Sequence, residues 1–192
     1  MQKRVGILGG TFNPIHNGHL LIAEQAREQA ELDEVWFMPA HIPPHKESAH
    51  LISSTHRLQM VDLAISDHPA FFSLDVELKR EGRSYTIDTM EELTSTYPGY
   101  AFFFIVGGDM LQILPKWHRF ADLTKLVHFI GFARPGTDYD EQLLKPFVTF
   151  VDVPNWDISS TDIREKANKS RSLRYLVPPV VECYLKEHKL YE

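Results

Sequence analysis

Short apolar runs alternate along the chain with segments of helical periodicity. Residues 5–8 form an apolar run that ends at a glycine pair, and residues 34–38 form a second run that stops at Pro39. Between them lies an apolar stripe made of Leu20, Ala23, Ala26 and Ala30. A run that is apolar throughout is typical of a strand buried on both faces, and the stripe is typical of a surface helix. The segment therefore predicts a strand–helix–strand unit with parallel strands.

The same alternation continues to the last residues. Further strands are predicted at residues 71–74, 100–106, 128–132 and 147–151, and further helices at residues 56–65, 87–97, 160–167 and 179–187. Residues 40–54 are predicted to be a loop, and Ser84 or Thr86 is the candidate N-cap of the helix at 87–97. This order predicts an α/β fold with a doubly wound, mainly parallel sheet of five to six strands and helices on both faces. A single domain of residues 1–192 is expected, with a small helical C-terminal part from about residue 158.

Ligands of open α/β sheets bind beyond the carboxyl ends of the strands, and three unusual segments follow predicted strands. The first, at residues 9–19, reads GGTFNPIHNGH. Its glycines allow a close backbone approach, and the following helix start would offer N–H groups to an anion. The glycine spacing fits neither the dinucleotide fingerprint nor the P-loop. His16 and His19 either donate to a ligand or bond nearby backbone carbonyls. A zinc site would need a third ligand, and no nearby cysteine or Glu-x-x-His motif supplies one.

The second and third segments add further polar groups at the same edge. Asp109 follows the strand end at Gly107, where a carboxylate binds a ribose hydroxyl or a metal ion, or else caps the helix at 110–113. The third segment, ISSTDIR, opens with a capping-box pattern of Ser159 and Asp162, which predicts a helix start. One face of its positive end would carry Ser160, Thr161 and Arg164. Such a set of donors suits a polyphosphate.

Other candidates are isolated side chains in predicted loops. Lys46 follows a proline pair that stiffens its loop, and Arg83 and Arg134 lie in two later loops. Each of these cations, taken alone, is most often a solvated surface charge. Trp117 follows Pro115 and Lys116, and its indole either packs on the core or provides a stacking platform for a heteroaromatic ring.

Composition narrows the class of protein. The 192 residues carry a formal net charge of -6 and no long basic run, which argues against a nucleic-acid partner. The single cysteine, Cys183, excludes an internal disulfide and agrees with a reducing compartment. No apolar run is long enough to span a bilayer, and no secretory signal is recognised. A cytoplasmic protein with no membrane partner is expected, and a homo-oligomer is left open.

The motifs together resemble one family. GGTFNPIHNGH, PPHK, SYT, G-x-D-M, PKW and ISSTDIR follow one another in the order found in bacterial nicotinate mononucleotide adenylyltransferases. The first and last motifs are shared with the wider nucleotidyltransferase superfamily, and the SYT and PKW stretches narrow the match. The resemblance implies a Rossmann-like fold and transfer of the adenylyl group of ATP to nicotinate mononucleotide, which gives deamido-NAD and pyrophosphate. It also implies Mg²⁺ as the cofactor that accompanies ATP.

The resemblance assigns residues to both substrates. ATP is assigned to Gly9, Gly10, Thr11, Phe12, His16, His19, Gly107, Asp109, Arg134, Ser160, Thr161 and Arg164. Nicotinate mononucleotide is assigned to Lys46, Ser84, Tyr85, Thr86 and Trp117. In this assignment Tyr85 and Thr86 offer backbone donors to the nicotinate carboxylate, and Trp117 stacks on the pyridine. The implied catalytic residues are His16, His19, Lys46 and Arg164, and no side chain is assigned as a metal ligand.

Two positions depart from the family's usual pattern, and several alternatives stay open. Asn13 stands where Asp is more usual and Gly108 where Ala is common, so residue 13 is not expected to be an indispensable charged group.

One alternative function is adenylyl or cytidylyl transfer to another phosphate monoester, such as nicotinamide mononucleotide or phosphopantetheine. Others are a non-catalytic ATP sensor and a histidine metalloprotein.

Overall fold

The computed structural model describes residues 2–41, 51–80, 85–132, 139–154 and 156–192. In these ranges the strands are β1 (Lys3–Gly10), β2 (Glu34–Pro39), β3 (Phe71–Ser73), β4 (Tyr100–Gly107), β5 (His128–Phe132) and β6 (Val148–Val151). The helices are α1 (Asn17–Gln29), α2 (Ser54–Ile65), α3 (Thr86–Thr96), α4 (Gly108–Leu111), α5 (Phe120–Leu126), α6 (Glu141–Leu144), α7 (Ser160–Asn168) and α8 (Pro179–Glu187). A short 3-10 helix at Leu114–Lys116 follows α4.

The six strands form one parallel sheet in the order β3-β2-β1-β4-β5-β6. The order runs outward in both directions from β1 and β4, so the winding reverses between these two strands. Leu8 of β1 pairs with Ile105 of β4, and both strands end two residues later, at Gly10 and Gly107. The doubly wound parallel sheet is thus confirmed, and its switch point lies beyond these two glycines.

Two hydrophobic layers cover the two faces of the sheet, because successive strand side chains point to opposite sides. In β4, Phe104 belongs to one layer and Ile105 to the other. The Ile105 layer includes buried side chains of α1, α2, α7 and α8, and the Phe104 layer includes those of α3, α4, α5 and α6. Helices on both faces and the helical C-terminal part are therefore confirmed.

Two predicted helix starts need correction. Tyr85, in extended conformation, is the N-cap of α3, and Thr86 is already its first helical residue. Thr86 is therefore not the cap, and the other candidate, Ser84, lies outside the described residues. Gly107 occupies the N-cap of α4, so Asp109 is its second helical residue rather than its cap. Both helices begin one or two residues before their first apolar position, so apolar periodicity alone places their starts too late.

The short helices α5 and α6 were not predicted. At the start of α5 stands Arg119, which has a left-handed backbone (φ 51) and no side-chain cap, so the usual polar start signal is missing. Asp140 does cap α6, accepting from the backbone N–H of Leu143, but a helix of four residues has too little periodicity to detect. In the parts of the chain described, no helix is long and apolar enough to cross a membrane.

Candidate functional site

Two histidines lie face to face where the opening loop, which comprises residues 11–16 between β1 and α1, meets α1. Their rings stack with centroids 3.6 Å apart and planes 22° apart. His16 is the N-cap of α1 and only 4% exposed, and its backbone N–H donates to Nδ1 of His19 at 3.2 Å. An Nδ1 that accepts a hydrogen bond carries no proton, so the ring N–H of His19 is on Nε2. His19 therefore has the form that can donate through Nε2.

Close packing of small residues fixes this pair of rings. A Cβ on Gly18 would lie 3.1 Å from Nδ1 of His16, and a Cβ on Gly10 would lie 2.8 Å from Cζ of Phe12. Phe12 is buried and meets the ring of His19 edge-on, with centroids 5.0 Å apart. It also has a left-handed backbone (φ 47), an uncommon conformation for a bulky residue. The glycines thus make room for the rings.

Replacing Gly10 with Ala tests this packing. We expect Gly10→Ala to lower the free energy of unfolding by about 1–3 kcal/mol, because the new methyl group must displace the buried Phe12 ring. The displaced ring would also disturb His19, so the rate of catalysis should fall. Urea unfolding and turnover measure the two effects. Gly99→Ala is the matched control, since nothing lies within 4 Å of its Cβ position. Equal stability of the two variants would contradict the prediction.

The third motif is held against the first, although about 150 residues separate them. Ser160 at the start of α7 donates from Oγ to the carbonyl oxygen of Pro14 at 2.9 Å. Arg164 donates from Nη1 to the carbonyl oxygen of Asn13 at 2.9 Å and from Nη2 to Oγ1 of Thr161 at 3.2 Å. The predicted cap is confirmed, because Ser159 Oγ accepts from the backbone N–H of Asp162. The positive end of α7 thus adjoins the opening loop.

The C-terminal residues also contact this loop, which the sequence did not indicate. Tyr191 donates from its hydroxyl to Oδ1 of Asn13 at 2.6 Å, and Asn13 is only 6% exposed. Burial raises the pKa of Tyr191 well above its usual value, although the positive charges of Arg164 and Arg57 oppose the shift. An uncharged amide at position 13 can accept this bond, which explains how Asn fits there.

Removing the Tyr191 hydroxyl should show in the pH dependence of stability. A raised pKa in the folded state means that the stabilising contribution is complete below about pH 10, the unfolded value, and is lost as the pH rises further. We expect Tyr191→Phe to cost about 0.5–1.5 kcal/mol at pH 8 and less at pH 10.5. Urea unfolding at both values measures this, with Tyr175→Phe as the exposed control. A pH-independent cost would contradict it.

The end of β4 supplies a second edge of the candidate site. Gly107 leaves room for the ring of Phe132, since a Cβ would lie 2.9 Å from its Cζ. Asp109 is exposed in the first turn of α4. Because β1 and β4 are neighbours, the exposed carboxylate lies at the sheet edge from which the opening loop leaves. Its predicted contact with a ribose stays a prediction.

The residues predicted for the mononucleotide form a neighbouring group. The ring of Tyr85 lies 4.7 Å from that of His118, which brings the start of α3 beside the Trp117 stretch. Trp117 is half-buried and meets Phe104 and Phe129 edge-on, so its packing role is confirmed. The same Phe104 ring lies 3.1 Å from the Cβ position of Gly9. One aromatic ring therefore separates Trp117 from the end of β1. His118 was not predicted, and its only signal was its position after PKW.

Four of the residues predicted for the site cannot be placed. Lys46, Arg83, Ser84 and Arg134 lie outside the described residues.

Arg57 of α2 is buried and donates to carbonyl oxygens of Thr11, Ala40 and His41. The sequence pattern could have indicated Arg57, because this residue stands at the first position of the buried stripe of α2. The other members of the stripe are Met60, Val61, Ala64 and Ile65.

Comparison with known proteins identifies the family of the chain. Residues 7–166 match the cytidylyltransferase-like family. A probable nicotinate-nucleotide adenylyltransferase of Oceanobacillus iheyensis is 52% identical over 190 residues, which cover 99% of this chain and 97% of that protein. The nicotinate-nucleotide adenylyltransferase of Bacillus subtilis is 47% identical over 192 residues, the whole of both chains.

Solved structures show the same fold. The nicotinic acid mononucleotide adenylyltransferase of Plasmodium falciparum complexed with NaAD superposes with a TM-score of 0.83 over 98% of this chain and 97% of that chain, at 23% identity. Its complex with APC gives a TM-score of 0.82. At this identity the likeness supports the Rossmann-like fold alone. The relatives that are about half identical over their full length show more: the chain belongs to the cytidylyltransferase-like family and, within it, to the nicotinate-nucleotide adenylyltransferases.

Proposed function

We propose that this chain transfers the adenylyl group of ATP to nicotinate mononucleotide and releases pyrophosphate, with the side chains described above as its site. One observation carries the assignment of the site. Ser160 and Arg164 of α7 hold carbonyl oxygens of the opening loop, which leads directly into the two stacked histidines. Donors from the two ends of the chain thus converge at the switch point of the sheet, where α/β proteins bind nucleotides.

The phosphates of ATP would lie between the opening loop and the start of α7. Arg164 uses two of its five N–H groups on described residues, which leaves three for a ligand. The adenosine ribose would lie at the end of β4, next to Gly107 and Asp109.

The reaction needs positioning and charge stabilisation rather than a base. A phosphate oxygen of the mononucleotide attacks the α-phosphorus of ATP, and the bond from that phosphorus to the bridging oxygen of pyrophosphate breaks. The attacking oxygen is already an anion, so no proton is removed. Negative charge increases on the leaving pyrophosphate, and N–H donors such as Nε2 of His19 and the guanidinium of Arg164 stabilise it.

Mg²⁺ fits this site as an ion that ATP carries. Mg²⁺ prefers oxygen ligands and keeps several waters, and in such enzymes it is held largely by substrate phosphates. The imidazole and guanidinium groups at the loop are hydrogen-bond donors, which suits them to the phosphate oxygens that the ion leaves exposed. When bound, Mg²⁺ would neutralise part of the negative charge of the ATP phosphates.

The start of α3 would bind the nicotinate ring. The first N–H groups of a helix have no partner within the helix and favour a negative group. Tyr85 and Thr86 stand at this position, and Tyr85 lies against His118, next to Trp117. A carboxylate accepts hydrogen bonds from such N–H groups, whereas the neutral amide brings an NH₂ of its own. We therefore expect nicotinate mononucleotide to be preferred over the amidated form.

Turnover with alternative substrates tests the proposal. Purified chain is incubated with ATP, Mg²⁺ and nicotinate mononucleotide, and release of pyrophosphate and formation of deamido-NAD are measured. The expected result is turnover that depends on all three, with a higher kcat/KM than for nicotinamide mononucleotide. A preference for the amide would overturn the assignment of Tyr85 and Thr86.

Three further arms address the remaining alternatives. Parallel reactions with CTP and with phosphopantetheine examine the other transfers known for this wider class, and faster turnover there would replace the proposal. Tight ATP binding without turnover would indicate a sensor. A metal assay that finds stoichiometric zinc would indicate a metalloprotein. The single domain, the cytoplasmic location and the oligomeric state stay predictions.

A further inference from the structure

Arg57 is a buried cation with an unusual set of partners. Its side chain is 1% exposed, in the first turn of α2. Nη1 donates to the carbonyl oxygens of Thr11 at 2.8 Å and Ala40 at 2.6 Å, and Nη2 donates to that of His41 at 3.1 Å. These carbonyls come from two loops, the one after β1 and the one after β2. The guanidinium therefore connects the two loops through hydrogen bonds to their carbonyl oxygens.

The burial of Arg57 has a cost that its three hydrogen bonds must offset. Within the described ranges no carboxylate pairs with Arg57, and its Nε–H has no hydrogen-bond partner. Burying a charge without a counter-charge is costly, and an unsatisfied buried donor adds to the cost. Burial also lowers the pKa of this guanidinium. Residues that break a local rule, such as a charge at a buried position, are common at functional sites.

The bond to Thr11 fixes the direction of the next peptide N–H. The Thr11–Phe12 peptide is trans. Because the Thr11 carbonyl points to Arg57, the N–H of Phe12 points to the opposite side. Phe12 has a left-handed backbone, which a bulky residue keeps only when its surroundings hold it. A rotated peptide would instead turn a carbonyl oxygen toward an anion.

We infer that Arg57 is a positioning residue for ATP: its planar guanidinium holds the Thr11 carbonyl so that the Phe12 N–H faces the phosphates. The inference rests on the proposed function, since it requires that ATP phosphates lie over the opening loop. Arg57 itself touches no substrate in this role. Its effect passes through one peptide group, and the link to Ala40 and His41 keeps that group in register with the end of β2.

Two substitutions separate geometry from charge. Arg57→Lys keeps the positive charge but loses the planar fork that reaches both loops, and Arg57→Gln keeps amide donors but loses the charge. We expect both variants to raise the KM for ATP by about 10- to 100-fold, the value of one hydrogen bond to a charged group. The KM for nicotinate mononucleotide should change less than threefold. Arg27→Gln, which removes a half-buried ion pair with Glu24 on the surface of α1, is the matched control.

Thermal shift measurements give a second readout that does not depend on turnover. ATP with Mg²⁺ should raise the Tm of the wild type and of Arg27→Gln, and should raise it much less in both Arg57 variants. A lower Tm with an unchanged ATP-induced shift and unchanged KM for ATP would reduce Arg57 to a structural residue. Normal ATP binding in Arg57→Lys alone would show that charge, not geometry, matters. Wild type that neither binds nor turns over ATP would refute the proposed function itself.

Discussion

Replacing His19 with Ala is expected to lower kcat by about 10²- to 10³-fold, the usual cost of removing one donor from a site that stabilises developing charge. The structure specifies which atom matters. Nδ1 of His19 accepts the backbone N–H of His16, so Nε2 carries the proton and is the atom that can face a phosphate oxygen. The loss should therefore appear mainly in kcat, because the donor is needed most when charge builds on the leaving pyrophosphate.

Two further substitutions at position 19 test this atomic assignment. The amide nitrogen of Gln can occupy the place of Nε2, so His19→Gln should keep more activity than His19→Ala. The shorter Asn can mimic only Nδ1, so His19→Asn should resemble the Ala variant. His16→Ala should lose at least as much, because the buried ring of His16 supports that of His19.

The matched control is a histidine at the other edge of the sheet. His68 lies just before β3, and because all strands are parallel it is at the amino edge, away from the proposed site. It stacks on Phe71 and pairs with Glu24, so His68→Ala should lower stability rather than kcat. Steady-state kinetics of all variants, with circular dichroism as a check on folding, decide the matter. Activity of His19→Ala within threefold of wild type would exclude the assigned role.

The fold could be predicted from the sequence because its strands are buried on both faces. An apolar run such as β4 is hard to mistake, and parallel strands with intervening helices permit few topologies. Prediction failed where the local signal is weak. The N-cap of α3 is Tyr85, which has no capping side chain, and α5 begins at a left-handed Arg119. Both starts depend on tertiary packing, which a linear pattern does not contain.

The candidate site, like the fold, has parts that could be predicted from the sequence and parts that could not. Strand ends and glycines gave the opening loop, because any parallel sheet gathers such ends at one edge. The residues that hold the loop from behind were missed. Arg57 and Tyr191 have no motif, and their contacts with Thr11 and Asn13 span 46 and 178 residues of sequence. Only the buried stripe of α2 could have singled out Arg57, as a charge at an apolar position.

Arg164 offers the second large effect. Its guanidinium holds the Asn13 carbonyl with Nη1 and Thr161 with Nη2, so it is already oriented before a ligand binds. A preorganised guanidinium can add further N–H bonds to phosphate at little entropic cost. We expect Arg164→Ala to lower kcat/KM for ATP by about 10²- to 10³-fold. Arg164→Lys should recover little, because a single ammonium cannot hold the Asn13 carbonyl and a phosphate in the same geometry.

The expected signature of the Arg164 variants is a large kinetic loss with a small loss of stability. Arg164 is only half-buried, so its hydrogen bonds contribute about 1 kcal/mol to the free energy of unfolding. Arg171, exposed beyond the end of α7, is the matched control, and Arg171→Ala should leave both quantities near wild type. Urea unfolding and initial rates over a range of ATP concentrations measure the two. A stability loss large enough to explain the rates would instead mean that Arg164 anchors α7 to the loop, and the donor role would pass to the loop N–H groups alone.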